Sequence, residues 1–263
     1  MGGNHDIDAY RVRLQAAAKS PQTVYLRTWQ LRRLAEALPG SLRSATTADL
    51  ARYLTGHGWS PATIYSVRAT MRDFYRWMVT SRRIRRNPAA DLPPVRVPRR
   101  EPRPAPESAL REARGDARAQ LMLDLAARQG LRRAEIAAIH SRDLVPDLDG
   151  WSLIVHGKGS RERTIPLHPF LADRIRQAGP GWLFPSPRGG HLTPGRVGVI
   201  ISGALADGWT AHSLRRRFAT QVNDGSHDLR AVQRLLGHAS VATTERYVAT
   251  GREQLRDAIR WAG

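Results

Sequence analysis

Four short patterns along the second half of the chain hold side chains that could do chemistry. They are Gly130-Leu131-Arg132-Arg133-Ala134-Glu135, Gly157-Lys158-Gly159, His212-Ser213-Leu214-Arg215, and Leu236-Gly237-His238 followed by Thr243-Thr244-Glu245-Arg246-Tyr247. Two arginines, a lysine and two histidines suit a phosphodiester flanked by a tyrosine nucleophile. Arginines pair with non-bridging oxygens as charge builds in a five-coordinate transition state. Histidines donate hydrogen bonds or trade protons, and a lysine can protonate a departing sugar oxygen. A tyrosine hydroxyl titrates near ~10, so its attack needs that positive neighbourhood or an adjacent base.

Each pattern alone has a blander reading. A His with an Arg three residues on is commonly a surface pair sharing one helical face. A Tyr near a terminus is commonly packing. Gly157-Lys158-Gly159 lacks the Ser or Thr and the earlier Gly of a phosphate loop. His212 and His238 with a carboxylate lack the spacing of a metal site. Asp147-Leu148-Asp149-Gly150 reads as a turn rather than a calcium loop. The absence of cysteine excludes disulfides, zinc fingers, iron–sulfur clusters and a cysteine nucleophile. Two features sharpen the set. Lys19 and Lys158 are the only lysines among 42 basic residues, a bias that a GC-rich genome explains and that leaves Lys158 conspicuous. Tyr247 is the only tyrosine after Tyr75.

Together the boxes resemble those of the tyrosine recombinase (phage integrase) family, which read GLR-x-x-E, a hairpin GKG, H-x-L-R, LGH and a terminal Tyr. The resemblance covers residues 107–250 closely. It implies that Arg132 and Arg215 clamp the phosphate, Lys158 is the general acid, His212 and His238 complete the pocket, and Tyr247 attacks. Glu135 would support the arginines, and Arg216 departs from the second His that many members carry there. The resemblance further implies a C-shaped clamp around double-stranded DNA with inverted-repeat core sites. A 3′-phosphotyrosyl bond would form, and a homotetramer would exchange strands through a Holliday junction. No metal, cofactor or ATP would be needed. The first lobe starts near residue 1, so the compact form without an arm-binding domain is expected. The alternatives are a nicking–closing enzyme resembling type IB topoisomerases and a DNA-binding relative that has lost catalysis, although all six pocket positions are present.

These residues need a scaffold. Two hundred and sixty-three residues with 41% hydrophobic content suffice for two domains with real cores. A formal charge of +19 points to a polyanion, nucleic acid first. No apolar run approaches the ~20 residues of a membrane span, and the N-terminus lacks a signal peptide's apolar stretch. A cytoplasmic, nucleoid-associated protein with no membrane partner is expected. Seven prolines between Pro88 and Pro106 mark an extended linker. The expected division is a helical core-binding (SAM-like) domain over 1–90, a Pro/Arg-rich linker over 91–106, and a catalytic domain over 107–263. Both outer parts are basic, so both are expected to touch the same polymer.

The fold class expected is mainly α with a small antiparallel sheet. Ser20-Pro21 and Ser60-Pro61 each pair an N-cap with a proline at the first helical position. Val24, Leu31, Leu34 and Leu38 form one apolar stripe, and Thr47 to Leu54 a shorter helix. Ile64, Val67, Met71, Phe74 and Met78 step by three and four. Arg68, Arg72 and Arg76 repeat every four residues on another face, a candidate DNA-facing row beside Arg96, Arg99 and Arg100 of the linker; a solvated face is the alternative. Helix should run from Glu107 to about Ile139 with a stop at Gly130, where a C-terminal cap fits. Residues 151–156 and 161–167 flank Gly157-Lys158-Gly159-Ser160 as a hairpin. Helices then return, broken at Pro180-Gly181 and Gly189-Gly190. A tail helix over 251–263, with Leu255, Ala258 and Ile259 as its apolar stripe, is expected to dock on a neighbouring protomer or fold back on its own domain.

Overall fold

The computed structural model describes residues 2–98, 103–157 and 162–237. The chain divides between residues 100 and 101 into two compact units, each with its own hydrophobic core.

Four helices build the first unit: α1 (Gly2–Ala16), α2 (Pro21–Ala37), α3 (Thr47–Thr55) and α4 (Pro61–Thr80). The two Ser-Pro signals start α2 and α4, where Ser20 and Ser60 accept from the backbone N–H of Thr23 and Thr63. Thr46 and Asp49 close a reciprocal capping box at α3. Such caps are worth ~1 kcal/mol each. Val67, Met71, Phe74 and Met78 of the α4 stripe are buried against Leu31 and Leu34 of α2. Helix α1 was not among the expected elements. Its Ile7, Tyr10 and Leu14 are fully buried, and its Asp6, with 0% exposure, accepts from Arg43 and Arg83 at 2.7 Å. Tyr10 donates to Asp73 of α4 at 2.5 Å, so α1 is bound to the bundle by both polar and apolar contacts.

The second unit opens with α5 (Glu107–Arg111), α6 (Ala117–Arg128) and α7 (Arg133–Ala137). This corrects the expected helix from Glu107 to Ile139 with a single stop. Residues 112–116 also leave the helix, because Asp116 serves better as a cap than inside it: its carboxylate accepts from Ala119 N–H at 2.7 Å. The Gly130 stop is real, with φ +62°.

A three-stranded antiparallel sheet follows, β1 (Leu144–Asp147), β2 (Gly150–His156) and β3 (Glu162–Pro166), in the order β1-β2-β3. The β2–β3 hairpin has the expected position, with His156 opposite Glu162. Strand β1 was unexpected, being four residues long and containing Pro146, a residue tolerated on an edge strand. The expected turn at Asp147-Leu148-Asp149-Gly150 joins it to β2. Then come α8 (Pro169–Gln177), α9 (Pro194–Ala204), α10 (Ala211–Ser226) and α11 (Leu229–Leu236). Helix α6 packs on α9 and α10, and α7 on α9, so the ends of α6, α10 and α11 converge. The protein is mainly helical with one small antiparallel sheet. Among the described residues, no helix is long and apolar enough to cross a membrane. The tail 251–263 lies outside the described residues.

Candidate active site

Gly130 turns the chain out of α6, and Arg132 becomes the N-cap of α7 in extended conformation. That conformation lets Glu135, one turn on, fold back to accept from the Arg132 backbone N–H at 2.9 Å. Glu135 is thereby aimed inward, with a side chain only 2% exposed.

Three guanidinium groups converge on this carboxylate from three elements. Arg132 donates to Oε1 at 2.6 Å. Arg163 of β3 spans both oxygens, at 2.9 and 3.0 Å. Arg215 of α10 lies 3.6 Å from Oε2. Burial works against ionisation of Glu135, yet the Arg163 hydrogen bonds and charge, followed by the Arg132 backbone and charge, hold its carboxyl below the usual carboxylate range.

The same arginines close the end of α11. Carbonyls of a last helical turn lack intrahelical donors, and cations are favoured at this negative end of the helix dipole. Arg163 Nε donates to Leu235 O at 2.9 Å, and Arg215 donates to Leu236 O at 2.6 Å. Arg132 reaches Leu236 O at 3.3 Å. Arg215 also donates to Gly130 O, tying the start of α10 to the end of α6. Helix α11 then stops at Gly237, with φ +65°.

His212 stands at the start of α10, where Thr210 and Ser213 form a reciprocal cap. Its partial desolvation, followed by the charges of Arg216, Arg215 and Arg132, holds its pKa below the ordinary histidine value. A cleft of about 690 Å³ opens here, lined by Arg132, Arg133, Gly198, Ser202, His212 and Arg215. Arg215 forms its buried floor, while the Arg132 side chain keeps 39% exposure. Three cations around one carboxylate leave a positive surplus at the cleft, suited to an anionic oxygen.

The structure therefore brings together four sequence-predicted residues, Arg132, Glu135, His212 and Arg215. Lys158, His238 and Tyr247 lie outside the described residues, as do Arg99 and Arg100. Arg68 is half-buried and donates to Leu92 O at 2.7 Å, a bond to the chain's own backbone. Arg72 is half-buried, while Arg76 and Arg96 are exposed. Arg163 was missed. A period-two signal pointed to it, since Arg163 and the buried Ile165 share one face of β3. Among the described residues, no group of three metal-ligating side chains is placed to hold an ion.

Residues 107–253 match the model of the phage integrase family. The chain belongs to that family. It is 34% identical to the tyrosine recombinase XerD of Caulobacter vibrioides over 238 residues, covering 79% of this chain and 77% of that protein. It is 32% identical to the tyrosine recombinase XerC of Xanthomonas campestris pv. campestris over 267 residues, covering 92% of this chain and 78% of the relative. In fold it is similar to a lambda integrase dimer bound to a COC′ core site, with a TM-score of 0.78 and 20% identity. That match covers 94% of this chain and 77% of the other. For a family member the convergence of Arg132, Glu135, His212 and Arg215 falls on the boxes singled out in the sequence.

Proposed function

We propose that this phage integrase family member is a site-specific DNA recombinase, cutting and rejoining DNA through a covalent tyrosine intermediate. The observation that carries the reading is the cluster of Arg132, Arg163 and Arg215 around the single buried carboxylate of Glu135, of which Arg132 and Arg215 line a cleft together with His212. Such preorganised charge stabilises the extra negative charge of a five-coordinate phosphorus without reorganising during the reaction.

In the proposed reaction Tyr247 Oη attacks the scissile phosphorus and displaces the 5′ oxygen. Arg132 and Arg215 steady the non-bridging oxygens. Lys158 gives its proton to the leaving oxygen, yielding a 3′-phosphotyrosyl bond and a free 5′-hydroxyl. His212, whose depressed pKa favours the neutral ring near pH 7, is suited to take the phenolic proton or to hydrogen-bond the phosphate, and His238 completes the pocket. The released hydroxyl of a partner duplex reverses the step, so bond energy is kept. Four protomers on inverted-repeat core sites would exchange strands in two such rounds through a Holliday junction. The first unit, with Arg72, Arg76 and the linker arginines, would grip the duplex opposite the catalytic unit as the other half of a C-shaped clamp. A soluble protein acting on DNA in the cytoplasm accords with this role.

A suicide duplex nicked beside the scissile phosphate tests the proposal. The wild-type chain should form a covalent adduct stable on a denaturing gel, while Tyr247→Phe binds the duplex and forms none. An adduct with Tyr247→Phe overturns the assignment.

A further inference from the structure

We infer that Arg163 is a positioning residue of the recombination site, joining the β2–β3 hairpin to the end of α11 and fixing Glu135 beneath the phosphate-facing arginines. This rests on the recombinase reading and adds to it a residue outside the four boxes. Arg163 is five residues after Lys158 on the hairpin. Its fork holds both oxygens of Glu135, and its Nε holds Leu235 O, the penultimate carbonyl of α11. Its side chain is 15% exposed and faces the interior, away from Glu162 on the opposite face of β3. One planar group thus links three elements, a geometry that a lysine, with a single charged nitrogen, cannot reproduce.

Gly237 gives an independent indication from the other side. A β-carbon on it would lie 2.9 Å from both Cδ and Nη1 of Arg163. The glycine of the fourth box therefore provides positive φ and also room for this guanidinium. His238 follows directly in the chain. The bridge sets where the chain leaves α11 toward His238 and Tyr247, and where the hairpin bearing Lys158 is anchored.

The test uses the full chain, the nicked suicide duplex and single-turnover cleavage. Single-site binding and thermal unfolding are measured in parallel. Arg163→Gln should bind a single site within about threefold of wild type and cleave on the order of 10- to 100-fold more slowly, the scale of a small misplacement of reacting groups. Because the variant lacks the charge that keeps Glu135 ionised, its cleavage should also fail at a higher pH than wild type on the acid side. Arg163→Lys should bring that acid limb back down while cleavage stays below the wild-type rate. Gly237→Ala should slow cleavage in the wild-type background through positive-φ strain and through crowding of Arg163, and only the crowding part should vanish in the Arg163→Gln background, so the two losses are less than additive. Wild-type cleavage by Arg163→Gln, a loss equal at every pH, or fully independent losses with Gly237→Ala each overturn the inference. Should Arg163→Gln not fold, Arg163→Lys carries the test, and its cleavage at the wild-type rate overturns it. Absence of cleavage by wild type in the same assay overturns the recombinase reading itself, whereas the variant outcomes bear on Arg163.

Discussion

Phe218 of α10 occupies the space that a side chain on Gly130 would need: a β-carbon there would lie 2.3 Å from Phe218 Cδ1. Backbone and ring thus meet directly where α6 ends and the Arg132 turn begins. Gly130 also holds φ +62°, strained for any residue with a β-carbon. Gly130→Ala is expected to lose about 2–4 kcal/mol, combining left-handed strain of ~1 kcal/mol with overpacking of ~1–3 kcal/mol. Urea unfolding measures the loss, and cleavage should fall with it because Arg215 is bound to Gly130 O.

Glu135→Gln removes the carboxylate that Arg132 and Arg163 share. Breaking a buried pair from one side leaves uncompensated charge and costs about 3–5 kcal/mol. The sign of the pH effect follows from the lowered pKa of Glu135. Its contribution to stability is present above the unfolded carboxyl's pKa and is lost as pH falls through the lower folded value. Acid unfolding of Glu135→Gln should therefore lack this component. Thermal denaturation across the acid range reads both effects, and adduct formation should be severely reduced.

His156 has the opposite sign. It lies between Asp143 and Glu162, 2.9 Å from each, and these carboxylates raise its pKa, led by the Asp143 hydrogen bond. Its stabilisation is complete below the unfolded histidine pKa and is lost as pH rises through the folded value. His156 is partly exposed, so the effect should stay below about 1 kcal/mol. His156→Gln should flatten the decline in Tm as pH rises above the ordinary histidine range, and a Tm profile of the two proteins checks it.

The arginine row on α4 should split by function. Arg76→Ala is expected to weaken DNA binding at every sequence and to reduce the salt slope by about one counterion. Arg68→Ala should act mainly on stability, because Arg68 holds Leu92 O. Fluorescence titration over a salt series, with thermal unfolding of each variant, separates the two.

Much of this protein could be read directly from local sequence. Ser20-Pro21 and Ser60-Pro61 start helices because serine and proline satisfy the first helical turn without help from distant residues. The β2–β3 hairpin follows from alternation and its glycine turn, and the GLRRAE, HSLR and LGH boxes were visible as patterns. Helix α1 was not, since Ile7, Tyr10 and Leu14 mark a face only if one turn of the stripe, at residue 11, is allowed to be polar. Strand β1 is too short to announce itself, and its pairing with β2 is a non-local choice.

The sequence by itself determined the residue types, the local starts and stops, and the positive charge that points to an anionic partner. Tertiary structure alone decided how Arg132, Arg163 and Arg215, separated by 31 and 52 residues, share one carboxylate and the last carbonyls of α11. Those bonds form only once α7, β3, α10 and α11 have packed. The physical reason is range: caps and turns are satisfied within a few residues, whereas a buried Glu135 needs cations from other elements to remain ionised away from water.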